Sequence, residues 1–236
     1  MSRQIEKLSV FLPAYNEEAN IKKTVKNVVE NLQKNVSEWE IVIVDDGSKD
    51  KTGAIADQLA KENKKISVIH HSPNRGYGAA FKSGLYGCKY PWISFIDSDG
   101  QFDFKEISRF IETQEKTGAD MVIGYYLKRK VPFTRILNSK IWQLIVFMLF
   151  GLNVRDIDCG FKLISKKIVD TIPKLESERG AFISSEFLIK AKKAGFKITQ
   201  IGVQHYPRKF GEATGAKLNV IVQSFIDLFK LWQKIK

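Results

Sequence analysis

Cysteine and histidine are scarce in this chain, two and three residues among 236. Cys88 and Cys159 form neither a Cys-x-x-Cys pair nor a disulfide framework, which excludes a disulfide-stapled scaffold and fits a reducing compartment. His70 and His71 end an apolar run without a second pair at ligand spacing, so no zinc site is expected. The stretch Ile141 to Phe150 is almost wholly apolar but only ten residues long, too short to cross a bilayer. It reads as a core or interfacial helix, with Leu144 to Phe150 expected in the core. Met1 to Lys7 is polar and runs straight into a strand, so no signal peptide is expected and the cytosol is the expected compartment. Repeats, low-complexity tracts and evident linkers are also lacking. At 44% hydrophobic residues, the chain can bury a full core as one large domain.

Acidic residues are scarce in one half only. Residues 1–124 carry 17 Lys and Arg against 18 Asp and Glu, whereas residues 125–236 carry 21 against 8. The second half therefore wants an anionic partner. No zinc finger, RNA-recognition signature or recognition helix accompanies the surplus, which argues against nucleic acid. An anionic membrane surface, or a phosphate-bearing substrate held at one, is the better match.

What is present is an alternation of strands and helices, the pattern of an α/β fold with a mostly parallel sheet covered on both faces. The expected strands are Leu8 to Leu12, Glu40 to Val44, Ile66 to His70, Trp92 to Ile96, Asp120 to Gly124 and Lys197 to Val203. Helices are expected over Glu17 to Asn35, Lys51 to Glu62, Gly78 to Cys88, Phe104 to Thr117 and Ser184 to Ala194. A last helix, Lys217 to Lys236, spaces Leu218, Ile221, Val222, Phe225, Leu228, Phe229, Trp232 and Ile235 along one face. The organisation expected is a domain over 1–215 followed by this amphipathic basic helix over 216–236.

Two acidic clusters, Asp45-Asp46-Gly47-Ser48 and Asp97-Ser98-Asp99-Gly100-Gln101, each follow an expected buried strand. Carboxylates at strand ends of an open α/β sheet face the crevice where such folds bind ligands. An Asp-x-Asp pair suits a hard divalent cation, because magnesium keeps several waters and usually takes one or two protein carboxylates beside substrate phosphates. Pro13-Ala14-Tyr15-Asn16-Glu17-Glu18 closes the first strand, with Asn16 placed to cap the following helix. The same amides, with Tyr15 as a stacking surface, also suit a base and ribose. Asn74-Arg75-Gly76-Tyr77-Gly78 resembles a glycine-rich phosphate loop, but it follows the third strand and lacks the third glycine of the dinucleotide fingerprint.

Taken in order, these segments resemble family 2 glycosyltransferases of the GT-A fold, a Rossmann-like sheet. Asp97 to Asp103, Asp158-Cys159-Gly160-Phe161-Lys162 and His205-Tyr206-Pro207-Arg208 to Thr214 are similar to the dolichol-phosphate mannose synthase and polyprenyl-phosphate glycosyltransferase group. The Gln-x-x-Arg-Trp motif of processive synthases is missing. The resemblance implies that Pro13, Ala14, Tyr15, Glu17, Asp45 and Asp46 hold the nucleoside, with Gly76, Asp97 and Ser98 also at the nucleotide. It implies that Asp97, Asp99 and Gln101 serve the sugar and a Mg²⁺ or Mn²⁺ ion, with Asp99 and Gln101 foremost as direct ligands. Arg208 would meet phosphate, and Arg129 and Arg135 match the acceptor region. Glu186 lies where relatives acting on hydroxyl acceptors place a base.

The implied activity is inverting transfer of one hexose from a nucleotide sugar, of the GDP-mannose or UDP-glucose type, to a polyprenyl or dolichyl phosphate. The protein would act peripherally at the cytosolic membrane face. A sugar-hydroxyl acceptor is the alternative and implies dependence on Glu186. A non-catalytic nucleotide-sugar-binding module implies no turnover with any donor.

Overall fold

The structure, a computed structural model, describes residues 5–128, 133–178, 180, 182–208 and 218–235, with the side chains of 133–135 and 218–221 not described. Strands β1 (Lys7–Ala14), β2 (Glu38–Asp45), β3 (Ile66–His70) and β4 (Trp92–Ile96) alternate with helices α1 (Ile21–Asn35), α2 (Thr52–Glu62) and α3 (Tyr77–Gly87). Then follow a 3-10 turn (Phe104–Glu106), α4 (Ile107–Thr117), β5 (Met121–Tyr126), α5 (Phe133–Phe150) and β6 (Phe161–Ser165). The last elements are α6 (Lys166–Thr171), α7 (Phe182–Lys193), β7 (Ile198–Val203) and α8 (Leu218–Ile235).

The strands form one seven-stranded sheet in the order β3-β2-β1-β4-β6-β5-β7. It is parallel except at β6, which runs antiparallel to both β4 and β5. The expected mixed α/β architecture is the one observed. Strand β1 is buried on both faces. Leu8, Val10 and Leu12 meet Ile21, Val25, Val28 and Leu32 of α1. Phe11 points the other way, 5.2 Å from the Phe81 ring and 5.1 Å from that of Phe95. This two-sided burial explains the unbroken apolar runs in the sequence.

Three expectations need correction. The expected strands omit β6, whose antiparallel entry between β4 and β5 is a tertiary choice that a five-residue run does not encode. Helix α1 starts at Ile21 and not at Glu17; residues 18–20 form a turn. The third concerns α5, where Val146 is buried but Leu144, Phe147 and Met148 are exposed, at 56%, 48% and 65%. Helix α8 is likewise divided. Leu228 and Leu231 enter the core, while Val222, Phe225, Ile226 and Phe229 remain exposed. The Trp142 and Phe225 rings meet at 5.2 Å, joining α5 to α8. Among the described residues no helix is long and apolar enough to cross a membrane.

Candidate active site

Strands β1, β2 and β4 end side by side. Chain direction across the sheet reverses about β1, since β2 and β3 lie on one flank and β4 on the other. Such a switch point leaves a crevice beyond the carboxyl ends of the strands. All the acidic motifs arrive there.

The loops after β1 and β2 lace together. Asn16 N–H donates to Ser48 Oγ at 3.0 Å, and Asn16 Oδ1 accepts from Lys49 N–H at 2.8 Å. Glu17 N–H donates to Thr52 Oγ1 at 2.7 Å, and Glu18 Oε2 accepts from Lys51 N–H at 2.9 Å. The expected cap on α1 is therefore replaced by a cap across loops. Asn16 reaches it with φ of 55°, a conformation asparagine tolerates better than most residues.

Asp46 is the hub of the second loop. Its Oδ1 accepts from His71 Nδ1 at 2.6 Å and Arg75 N–H at 3.0 Å; its Oδ2 accepts from Asn74 Nδ2 at 2.7 Å and Gly76 N–H at 2.8 Å. A carboxylate offers about four lone-pair sites, so this one is filled. His71 is in turn held by Ser83 Oγ at 2.9 Å. Asp45 accepts from Ser48 N–H at 3.0 Å and meets His70 Nδ1 at 3.1 Å. Both side chains thus tie the loop after β2 to its neighbours, Asp45 through Ser48 and His70 and Asp46 through residues 71–76. Gly47 allows the hub: its φ is +69°, and a Cβ there would lie 2.7 Å from Asn74 N.

At the end of β4, Ser98 Oγ donates to Pro13 O at 2.6 Å, so this hydroxyl staples two strand ends. Asp97 accepts from Tyr77 Oη at 3.2 Å. Its other oxygen fills the space that a Cβ on Gly160 would occupy. Burial, with the Asp99 charge adding, pushes the Asp97 carboxyl up to about 7, against the opposing pull of Lys162, Tyr77 and Arg208. Lys162 is fully buried behind this strand, its ammonium bonded to Cys159 O. Desolvation lowers its pKa although Asp158, Asp97 and Asp156 favour the charged form.

Asp99 accepts from Gln101 N–H at 3.0 Å. Arg208, arriving from the segment after β7, spans Glu17 Oε1 at 2.6 Å and Asp99 Oδ2 at 3.4 Å. The same segment clamps Gln101, whose Nε2 donates to Tyr206 O at 2.9 Å and whose backbone O accepts from Tyr206 N–H at 2.9 Å. Residues 191 positions apart in the chain, Glu17 and Arg208, are thereby in contact. Burial holds the Glu17 carboxyl above its ordinary range, opposed by Asn20 and Arg208. Pro13 and Ala14 are buried at the end of β1, and Tyr15 is half-buried beside them.

Glu186 is held by its own surroundings. It sits inside α7, 2% exposed, and accepts from Glu176 N–H at 2.8 Å, Ser177 N–H at 2.9 Å and Lys190 Nζ at 2.6 Å. Both oxygens thus have protein partners, with two backbone amides of the 174–177 segment and the Lys190 ammonium around them, at the position where relatives acting on hydroxyl acceptors place a base. Arg129 lies outside the described residues, as does the side chain of Arg135; residues 209–214 of the last motif also lie outside them. Tyr77, Gly160 and Lys162 carry no individual role in the sequence reading, although each stands inside a quoted motif, and His71 is read there only as forming no zinc site.

The side chains at the β4 end fit a hard divalent cation. Asp97 and Asp99 supply anionic oxygens, Gln101 supplies an amide, and the Gly160 cradle keeps Asp97 in place. Two carboxylates leave coordination positions for phosphate oxygens.

The family model for "Glycosyl transferase family 2" matches residues 9–172. The chain belongs to glycosyltransferase family 2. It is 30% identical, over 95% of its length and 72% of the relative's, to a dolichyl-phosphate beta-glucosyltransferase of Trichomonas vaginalis. It is 27% identical to polyprenol monophosphomannose synthase of Mycolicibacterium smegmatis, over 92% of this chain and 84% of that one. Its fold matches glucosyl-3-phosphoglycerate synthase of Mycobacterium tuberculosis in complex with UDP, with a TM-score of 0.73 at 20% identity, covering 97% of this chain and 80% of the other. This family 2 member is thus a glycosyltransferase of the GT-A fold.

Proposed function

We propose that this glycosyltransferase moves a single hexose from a nucleotide sugar to a polyprenyl or dolichyl phosphate, with inversion at the anomeric carbon. The observation that carries the reading is the convergence of Asp97, Asp99, Gln101, Glu17 and Arg208 beyond the ends of β1 and β4. The relatives named for polyprenyl-phosphate acceptors support it.

Asp97, Asp99 and Gln101 would hold Mg²⁺ or Mn²⁺, which supplies charge neutralisation of the departing nucleoside diphosphate. Lacing of the β1 and β2 loops presents Tyr15 and neighbouring amides to the nucleoside, and the Asp46 hub fixes the 74–76 loop beside it. An oxygen of the acceptor phosphate forms a bond to the anomeric carbon from one face as the bond to the diphosphate breaks on the other. A phosphate is already an anion at neutral pH, so no side chain has to remove a proton. The commitment of Glu186 to the 174–177 segment favours this acceptor over a sugar hydroxyl.

The lipid acceptor requires a membrane surface. The apolar side chains left exposed on α5 and α8, in the half of the chain that carries 21 Lys and Arg against 8 Asp and Glu, suit peripheral binding to an anionic leaflet.

Transfer from UDP-glucose or GDP-mannose to a short polyprenyl phosphate in the presence of Mn²⁺ tests the reading. The wild type should turn over, and Asp99→Asn should stay folded while metal-dependent nucleotide affinity falls about tenfold or more. Turnover with sugar-hydroxyl acceptors alone would replace the acceptor assignment, and unchanged metal-dependent affinity in Asp99→Asn would remove the metal assignment.

A further inference from the structure

Arg208 places its guanidinium against Asp99, one of the side chains that fit a divalent cation. Its Nη2 serves Glu17 Oε1 at 2.6 Å and Asp99 Oδ2 at 3.4 Å. The Glu17 contact is the tighter, and Glu17 is also the more rigid partner. Its Oε2 is held by Asn20 Nδ2 at 2.7 Å, its backbone N–H by Thr52 Oγ1 at 2.7 Å, and its side chain is 8% exposed against 15% for that of Asp99. The Glu17 carboxylate is thereby anchored from the protein side on both oxygens, by Asn20 on one and Arg208 on the other.

We propose that Glu17 is a positioning residue that parks Arg208 over Asp99, and that a divalent cation binding at Asp99 displaces the guanidinium and frees it for phosphate. This rests on the reading of Asp97, Asp99 and Gln101 as the cation site. The parked arginine supplies the positive charge that the buried acids need while the site is unloaded. Two cations at one carboxylate repel, so occupancy by one weakens the other. The segment bearing Arg208 is also the one that clamps Gln101 through Tyr206. Loading at Asp99 and release of the Arg208 guanidinium are thus linked, with reciprocal effects on the two affinities, while the Tyr206 bonds keep the segment itself in place.

The test is Mn²⁺ binding to the nucleotide-free protein, read from the paramagnetic resonance of the free ion. Arg208→Gln should bind Mn²⁺ about five- to tenfold more tightly than wild type. Lys105→Gln, which removes a charge from the same loop where Lys105 pairs with Asp103 at 3.1 Å, should leave Mn²⁺ affinity unchanged. Phenylglyoxal labelling of Arg208, read by peptide mass, should accelerate when Mn²⁺ is added. In Glu17→Gln it should be fast without Mn²⁺. Equal Mn²⁺ affinity in Arg208→Gln and wild type would overturn the parking role and leave the cation site standing. Equal tightening in Lys105→Gln and Arg208→Gln would overturn it too, as a diffuse charge effect. If no variant binds Mn²⁺, with or without UDP or GDP, both the cation site and the parking role fall.

Discussion

At the scale of the residue, the site is built by side chains that touch one another before they touch any ligand. Gly160 has one task that only its missing Cβ permits, which is to leave room for the Asp97 carboxylate. Gly160→Ala should therefore cost about 1–3 kcal/mol of stability from overpacking, and lower nucleotide-sugar affinity more than its melting shift suggests. Calorimetric titration beside thermal unfolding separates the two. Glu186 makes the opposite case. Removing its charge leaves the Lys190 ammonium, 5% exposed in its side chain, without its anion. Glu186→Gln should lose about 3 kcal/mol or more, measured by urea unfolding. Well below its melting point it should still transfer sugar to polyprenyl phosphate at near wild-type rate, and a hundredfold rate loss in the folded variant would return Glu186 to the chemistry.

At the scale of the element, α8 presents a buried face and an exposed apolar one. Leu228 and Leu231 are buried against the domain, and Lys193 Nζ donates to Ile235 O at 2.8 Å near the helix end. Phe225 and Phe229 stay exposed. Leu228→Ala and Leu231→Ala should each lose roughly 2–5 kcal/mol without changing vesicle affinity of the folded protein. Phe225→Ser with Phe229→Ser should do the reverse, losing most binding to anionic vesicles in co-sedimentation at a smaller stability cost, about 0.5–1.5 kcal/mol for the Trp142 contact of Phe225. Undiminished vesicle binding in the double variant would move the membrane contact to Ile141, Leu144, Phe147 and Met148 of α5. Sequence periodicity placed Phe225, Leu228 and Phe229 on one apolar face, and nothing in that spacing separates the residues that pack from those left open.

At the scale of the whole molecule, the acids of the site and most of the basic surplus come from different halves of the chain, with Arg208 crossing between them. The strand ends bearing Asp46, Asp97 and Asp99 come from the near-neutral half, while the surplus of basic residues lies after residue 124. Electrostatic attraction to an anionic leaflet is screened within about 8 Å at physiological ionic strength. Vesicle binding should accordingly fall several-fold between roughly 50 and 500 mM salt, while affinity for a soluble nucleotide sugar, held by direct contacts, changes less. Equal salt sensitivity of both would mean that the basic surplus serves the donor.

The sequence by itself determined the alternation of strands and helices, the acidic clusters at the ends of β2 and β4, and the family. These are local facts: apolar runs long enough to be buried strands, and short motifs whose residue order survives without the rest of the chain. Only the tertiary structure decided what each acid does. Asp46 and Glu186 look available in sequence, because a carboxylate carries no mark of its partners. In the fold, His71, Asn74 and two backbone amides fill the first, and Lys190 with two backbone amides fills the second. The antiparallel entry of β6 and the contact between Arg208 and Glu17 were hidden for the same reason. Both depend on segments far apart in the chain meeting across the sheet, and hydrogen-bond partners at that separation are set by topology.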